Sequence, residues 1–229
     1  MNKYEHFYCK GDELYSNGNF IEALENFKKA FSIEETYACA DYIGCCYLQL
    51  NELKRAEEMF DNIIHQAVID GIQWEKPFIG MARLYMKKEN YDKALECLKQ
   101  AETINSNSAD LYFYYGVLYK KQKDYRNAVI SNLRSLEYES EQPDIYLNLS
   151  DCYYHINEYE KALQCCENAM TNPDYTNDAL YNKGRVLMAM KRYKEAKEEF
   201  LKINTTDAEL LEDIEEDILY CTKHIESRG

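Results

Sequence analysis

Turn-forming residues are scarce in this chain of 229 residues, which contains 8 glycines and 3 prolines. A β-sandwich or β-barrel needs frequent turns, so this scarcity argues against both folds and favours helices joined by short connections. The chain is long enough to bury a sizeable core, either as one domain or as a stack of repeats. We therefore predict an all-α fold.

Long apolar segments and an excess of basic residues are missing as well. No 18 consecutive residues are apolar, and residues 1–10, MNKYEHFYCK, lack the apolar stretch of a signal peptide. The chain has 27 Lys and Arg against 41 Asp and Glu, a formal net charge of −14. Because this charge repels phosphates and anionic lipids, we predict a cytoplasmic protein that binds neither nucleic acid nor membrane.

Residues that build metal centres and catalytic sites follow no suitable pattern. The nine cysteines include no CxxC pair and no matching histidine spacing, so we interpret them as buried apolar residues in a reducing compartment. The four histidines lie in different parts of the chain, without a glycine-rich phosphate loop or a GxSxG motif. We predict no enzyme activity, no cofactor and no metal.

An alanine preceded three residues earlier by an aromatic residue or leucine recurs along the chain. The intervals are 33, 38, 34, 34 and 34 residues, and the alanines are Ala23, Ala56, Ala94, Ala128, Ala162 and Ala196. A small residue lies twelve positions before each alanine, and a tyrosine or leucine nine positions before it. This periodicity indicates a repeated structural unit.

Apolar residues within each copy follow the spacing of three and four that is typical of amphipathic helices. Each copy is therefore predicted to form two antiparallel helices joined by a short connection such as Glu89–Asn90. The predicted helices lie at 4–17, 20–33, 37–50, 53–69, 75–88, 91–104, 109–122, 125–138, 143–156, 159–170, 177–190, 193–203 and 207–225. No helix pair buries its apolar face alone, so neighbouring pairs must stack.

The six copies resemble the tetratricopeptide repeat (TPR). This resemblance covers roughly residues 4–206 and implies a right-handed superhelix, or α-solenoid, of antiparallel helix pairs. It implies one domain over residues 1–229, with repeats at about 4–36, 37–72, 75–108, 109–142, 143–176 and 177–206 and a capping helix at 207–225. In this capping helix, Leu210, Leu211, Ile214, Ile218 and Cys221 are predicted to share one apolar face.

In a TPR superhelix the first helix of each pair lines a concave groove. Aromatic, amide and arginine side chains occupy the corresponding positions here, and the predicted peptide-binding residues are Tyr8, Tyr42, Arg83, Phe113, Tyr114, Asn148, Tyr181, Asn182 and Arg185. The resemblance implies that Asn148 and Asn182 hydrogen-bond a ligand main chain; alternatively, both are ordinary exposed polar residues. TPR co-chaperones bind chaperone tails through a clamp of lysines, asparagines and an arginine. This clamp is absent whether its pattern is started at the first copy or at the fourth.

Charged residues on the first helices allow two interpretations. Asp151 and Arg185 occupy the same position in neighbouring copies and are predicted to form an ion pair, with ligand recognition by Arg185 as the alternative. Arg83 has no such obvious partner and is a candidate for binding an anionic group. Asp110, Asp144 and Asp178 each open a helix, where carboxylates favour the helix dipole. The alternative is an acidic rim that selects a basic peptide.

The leading hypothesis is a protein-interaction scaffold whose groove binds an extended peptide or a helix of a partner. The alternatives are a peptide-sensing regulatory receptor without its own DNA-binding domain and a self-assembling structural protein.

The segment 66–77 is four residues longer than the period requires and contains the single tryptophan, Trp74. Either it lengthens a helix and its apolar residues pack locally, or it forms a docking surface.

Overall fold

The computed structural model describes residues 2–139 and 143–227, which form α-helices and one short 3₁₀ helix without any strand. The helices are α1 (Lys3–Ser16), α2 (Phe20–Ile33), α3 (Tyr37–Gln49), α4 (Leu53–Asp70), α5 (Lys76–Lys87), α6 (Tyr91–Ile104), α7 (Ala109–Lys121), α8 (Tyr125–Tyr138), α9 (Pro143–His155), α10 (Tyr159–Ala169), α11 (Thr176–Ala189), α12 (Tyr193–Phe200) and α13 (Ala208–Glu226). The predicted all-α fold is confirmed, and the predicted helix boundaries lie within three residues of those observed.

The chain divides into two compact units, Met1–Tyr114 and Tyr115–Gly229, with the division inside α7. In the first unit, α1 packs on α2, α3 on α4 and α5 on α6, and the first helices α3 and α5 also contact each other. In the second unit, α9 packs on α10 and α11 on α12, while α9 contacts α11 and α13 packs on α12. The organisation of residues 1–229 as one domain stays a prediction.

The turn between the two helices of a pair has the same backbone geometry in each copy. One residue there has a left-handed φ between 57° and 76°, always five positions before the repeated alanine, at Gly18, Asn51, Glu89, Lys123, Asn157 and Lys191. This conformation is unfavourable for a residue with a Cβ atom, and only the first copy uses glycine. Asparagine tolerates this conformation at Asn51 and Asn157, whereas the turn places Glu89, Lys123 and Lys191 in a backbone conformation that they do not favour.

The core of each pair depends on close packing between the small residue and the side chain four positions after the alanine. All six repeated alanines are fully buried. A Cβ atom on Gly11 would lie 2.9 Å from the ring of Phe27, and Gly184 lies similarly against Phe200. In another copy the pair is polar, with Ser150 Oγ 2.9 Å from Cys166 Sγ. The two helices thus approach closely because one partner is small.

The long segment after α4 differs in part from its prediction. α4 is extended to 18 residues, as one alternative predicted, and ends at Gly71 in a left-handed conformation. Trp74 is half-buried and packs edge-to-face on Tyr37, with ring centroids 5.6 Å apart. Ala67 and Pro77 are buried as well. Local packing is a wrong prediction for Val68, Ile69 and Ile72, which are 75%, 63% and 46% exposed, because they lie beyond Ala67, the last buried residue of α4.

The final helix covers the apolar face of α12. Ile214 and Cys221 are buried and Leu210 and Ile218 are partly buried against that core, as predicted. Leu211 is 39% exposed, so its predicted place on the apolar face is wrong; it lies about 100° around the helix from Leu210. Seven of the nine cysteines are buried, whereas Cys97 is partly buried and Cys9 is exposed.

Across the part of the chain that the structure describes, no helix combines the length and the apolarity that a membrane span requires.

Candidate functional site

A pocket in the first unit is formed by side chains from four first helices. We call it the Asp41 pocket; it is lined by Tyr15 of α1, Asp41, Tyr42 and Cys45 of α3, Lys76, Ile79, Gly80 and Arg83 of α5, and Asp110 and Tyr114 of α7. Its volume is about 180 Å³. The pocket thus brings together three of the predicted peptide-binding residues, Tyr42, Arg83 and Tyr114.

Arg83 is held in the pocket by uncharged groups. Its Nη1 donates a hydrogen bond to Cys45 Sγ at 3.3 Å, and its guanidinium lies 5.2 Å from the ring centroid of Tyr114. Burial raises the pKa of the Cys45 thiol to about 12, so the thiol is neutral at pH 7. Among the described residues no carboxylate lies within ion-pair distance of Arg83.

Asp41 has an unsatisfied hydrogen-bond acceptor. Its Oδ1 atom is buried and accepts no hydrogen bond from any described residue. Burial raises the pKa of this carboxyl to about 6, although the positive charges of Lys76 and Arg83 act to lower it. The negative charges of Asp110 and Glu75 add to the increase. The pocket therefore contains a carboxylate oxygen that its own cations leave unpaired.

The two other predicted residues of the first unit lie outside this pocket. Tyr8 is half-buried and packs edge-to-face on Tyr42, with centroids 5.8 Å apart, while Tyr42 stacks on Phe27 at 4.6 Å. Burial raises the pKa of Tyr8 to about 12. Phe113 packs edge-to-face on Tyr114 at 5.0 Å but does not line the pocket. Tyr8 therefore supports the pocket wall through Tyr42, and Phe113 supports it through Tyr114.

The predicted residues of the second unit surround Asp151. Arg185 Nη1 lies 3.8 Å from Asp151 Oδ1, which confirms the predicted ion pair, and Lys120 Nζ lies 3.4 Å from Asp151 Oδ2. The Arg185 guanidinium lies 4.9 Å from the ring centroid of Tyr154 and 5.9 Å from that of Tyr181. These contacts hold Arg185 between two rings and one carboxylate.

The two asparagines have different surroundings within this unit. Asn148 Oδ1 accepts a hydrogen bond of 2.8 Å from Lys120 Nζ. Asn182 lines a small cleft with Asp151, Tyr154 and Arg185. Both asparagines are half-buried. Their predicted role in binding a ligand main chain stays a prediction.

The predicted binding set omitted seven residues that line the Asp41 pocket: Tyr15, Asp41, Cys45, Lys76, Ile79, Gly80 and Asp110. One sequence signal was available for Asp41, because it is the only charged residue in α3, whose sequence is YACADYIGCCYLQ. A single charge in an otherwise uncharged, largely buried helix indicates a special environment. No comparable signal marked Tyr15, which lies in the last turn of α1.

Two family models match consecutive parts of the chain. The TPR repeat matches residues 82–123, and the anaphase-promoting complex, cyclosome, subunit 3 family matches residues 121–203. The chain is similar to BBSome complex member BBS4 of Bos taurus, with 20% identity over 218 residues, covering 80% of this chain and 41% of that protein. It is also 26% identical to human tetratricopeptide repeat protein 21A, covering 69% of this chain and 12% of that protein. The chain therefore spans less than half the length of these relatives.

Solved structures share the fold at low sequence identity. The TPR protein TTC0263 of Thermus thermophilus matches with a TM-score of 0.70 and 19% identity, over 81% of this chain and 99% of that chain. A chain of the APC/C hetero-tetramer Cut9–Hcn1 matches with a TM-score of 0.66 and 17% identity, over 96% of this chain and 51% of that chain. YrrB, described as a TPR protein with an unusual peptide-binding site, matches with a TM-score of 0.51 and 22% identity, over 77% of this chain and 90% of that chain. The solved structures show the shared fold, and the TPR repeat model over residues 82–123 together with the repeated helix pairs shows that the chain is a TPR protein.

Proposed function

We propose that this chain is a non-catalytic scaffold that binds an extended segment of a partner protein through the first helices of its pairs. The convergence of charged and aromatic side chains in the Asp41 pocket carries this proposal. Stacking of helix pairs needs only small and apolar residues at the helix contacts. Asp41 and Arg83 are not needed for that packing, and a bound segment would give the unpaired oxygen of Asp41 a partner.

The family supports this function at a coarse level, because TPR proteins are generally protein-interaction scaffolds. YrrB carries a peptide-binding site by its description, and Cut9 is part of an assembly with Hcn1. The identities of 22% and 17% show the common fold alone. Binding of a peptide by this chain is therefore our proposal, and it depends on the chain's own residues.

The second unit offers groups of the same chemistry. Asn182 and Asn148 carry amides, which hydrogen-bond the main chain of an extended peptide, and the rings of Tyr154 and Tyr181 flank Arg185. Asn148 already accepts from Lys120, so a ligand carbonyl would use its amide N–H groups. A peptide bound to the first helices of the second unit would therefore be recognised mainly through its backbone.

A peptide selection tests the proposal. Random 16-residue peptides displayed on phage are selected on the wild-type chain, and their dissociation constants are measured by fluorescence anisotropy. The test variant combines Arg83→Ala, Asn148→Ala and Asn182→Ala. The control combines Arg126→Ala and Gln164→Ala, which remove exposed side chains from the second helices α8 and α10.

We expect the test variant to bind the selected peptides at least tenfold more weakly and the control to bind them as the wild type does. Circular dichroism melting of all three proteins checks that the substitutions leave the fold intact. Equal affinity of the wild type and the test variant would contradict binding through the first helices.

A second candidate function, self-association, is favoured by one observation. Val68, Ile69 and Ile72 form an exposed apolar group at the end of α4, and such groups commonly lie in interfaces. Sedimentation velocity over a range of concentrations tests it. A mass that rises with concentration in the wild type but not in a Val68→Ser, Ile69→Ser variant would support self-association, and a constant mass would exclude it.

A further inference from the structure

We propose that the Asp41 pocket is a lysine subsite: it binds the ammonium group of a lysine side chain in the partner segment. This inference rests on the proposed function, since the lysine belongs to the segment that the first helices bind. It goes further by naming the chemistry of one recognised side chain. The proposal depends on the unpaired Asp41 oxygen, the surrounding charges and the size of the pocket.

The unpaired oxygen calls for a hydrogen-bond donor. Asp41 Oδ1 is buried without a partner among the described residues, and such an acceptor destabilises a protein by about 1–3 kcal/mol. Most buried polar atoms in folded proteins have a partner, so an exception inside a pocket is a good indicator of a ligand. Oδ1 exposes almost no surface, so a ligand N–H group in the pocket would reach it through a small movement of the side chains that line the pocket.

The surrounding charges favour a cationic donor. The charged groups that act on the Asp41 carboxyl are Lys76, Arg83, Asp110 and Glu75, so together with Asp41 there are three acids and two bases. Lys76 is exposed, so solvent screens its charge, whereas Arg83 keeps its positive charge between the uncharged Cys45 and Tyr114. The balance of these five groups is one negative charge. The chain as a whole carries −14 and attracts basic segments at long range.

The geometry favours lysine over arginine. An arginine fork pairs best with two accessible oxygens of a carboxylate, whereas Oδ1 of Asp41 is enclosed by the protein. An ammonium group is a compact donor that needs only one oxygen. The rings of Tyr42 and Tyr114 and the side chain of Ile79 line the same pocket, and they can contact the methylene stem of a lysine.

The size of the pocket favours a single side chain over a free small molecule. Pockets for small molecules commonly have volumes of about 300–1,000 Å³, whereas the Asp41 pocket has about 180 Å³. A side chain anchored to a bound segment needs less enclosure, because the segment makes further contacts along the first helices. The pocket therefore suits a specificity subsite within a longer binding surface.

An NMR titration with small probes tests the subsite without knowing the partner. The probes are n-butylammonium, which has the stem and charge of a lysine side chain, the uncharged 1-butanol and the anion butyrate. Shifts are followed at the ¹³C-labelled carboxyl groups of aspartate and at the tyrosine rings. The proteins are the wild type, Asp41→Asn and the control Asp92→Asn, which removes an exposed carboxylate of α6.

We expect n-butylammonium to shift the Asp41 carboxyl and the Tyr42 and Tyr114 rings saturably in the wild type and in Asp92→Asn. Asp41→Asn should bind this probe at least tenfold more weakly. Equal shifts with 1-butanol or butyrate, unchanged binding by Asp41→Asn, or no shift in the wild type would each overturn the subsite.

The phage selection separates this inference from the proposed function. Selection on the wild type should enrich lysine at one peptide position, and selection on Asp41→Asn should lose that enrichment. Peptides that require Arg83, Asn148 and Asn182 but not a lysine would overturn the subsite and leave the proposed function standing. The opposite outcome is saturable binding of n-butylammonium while the selected peptides bind the wild type and the Arg83→Ala, Asn148→Ala, Asn182→Ala variant equally. It would overturn the proposed function instead.

Discussion

The ring of Phe60 in α4 lies directly against Gly44 in α3. A Cβ atom on Gly44 would come within 2.6 Å of this ring, and one on Gly80 of α5 would come within 2.5 Å of it. Phe60 is fully buried, so one ring occupies the space that two glycines leave open. This packing sets the separation of α3 and α5, the helices that carry Asp41 and Arg83.

Gly44→Ala should therefore destabilise the chain. Alanine has the higher helix propensity and would by itself stabilise the helix by about 1 kcal/mol. The clash of its Cβ with Phe60 should instead lower the free energy of unfolding by about 1–3 kcal/mol. Urea denaturation followed by circular dichroism measures this difference, and its sign separates the two effects.

Replacing Phe60 provides the control for this clash. The corresponding positions of the third copy hold Ala82 and Leu98, so Gly44→Ala with Phe60→Leu recreates a natural combination. The double variant should be more stable than the sum of the two single changes predicts. Simple additivity would show that Gly44 and Phe60 do not oppose each other sterically.

Asn132→Leu should stabilise the second unit. Asn132 is fully buried, its Oδ1 atom has no hydrogen-bond partner among the described residues, and its Nδ2 donates to the carbonyl of Ala128 at 2.9 Å. Removing an unsatisfied buried acceptor should raise the free energy of unfolding by about 1–3 kcal/mol, as measured by urea denaturation. Asn132→Ala, which leaves a cavity, should gain less, and a loss of stability in Asn132→Leu would contradict the interpretation.

Lys123→Gly should stabilise the turn before α8. Lys123 has a φ of 60°, and glycine adopts this conformation without the strain of a Cβ atom, which is about 1 kcal/mol. The melting temperature should therefore rise. Lys99→Gly, within α6, should lower the melting temperature, because glycine has a low helix propensity. Gly18→Ala should also lower it, because Gly18 has a φ of 76° that strains a residue with a Cβ atom. A melting temperature of Lys123→Gly at or below that of the wild type would show that the left-handed conformation of Lys123 does not strain the fold.

Asp41→Asn should stabilise the chain at neutral pH and lose that advantage in acid. Burial raises the pKa of Asp41 to about 6 in the folded chain, whereas an unfolded aspartate has a pKa of about 3.9. The folded state therefore holds its proton more tightly, and the ionisation of Asp41 destabilises the fold as the pH rises from about 4 to 6. At pH 7 the variant should be more stable by about 2–3 kcal/mol.

Denaturation of the wild type and the variant between pH 4 and pH 8 measures this effect. Asp92→Asn, at an exposed position, should show no such pH-dependent difference. An Asp41→Asn advantage that is constant with pH would show that the Asp41 carboxyl titrates alike in the folded and unfolded chain.

Local patterns in the sequence were sufficient to predict the helices and their pairing. The repeated alanines, the small residue twelve positions earlier and the apolar spacing all lie within one copy of about 34 residues. The Asp151–Arg185 pair was also predictable, because equivalent positions of neighbouring first helices lie close together in a TPR stack. These relationships involve residues that are close in sequence or related by the period.

Only the tertiary structure decided the character of the candidate site. The unpaired oxygen of Asp41 and its raised pKa depend on four helices whose residues extend from Tyr15 to Tyr114. Likewise, the sequence could not determine that Val68 and Ile69 stay exposed, since this depends on where the neighbouring helices end. The sequence by itself determined the repeat and its helices, because the residues that define them lie within one copy. The burial of the Asp41 carboxyl and the charges around it were decided by side chains that only the stacked helix pairs bring together.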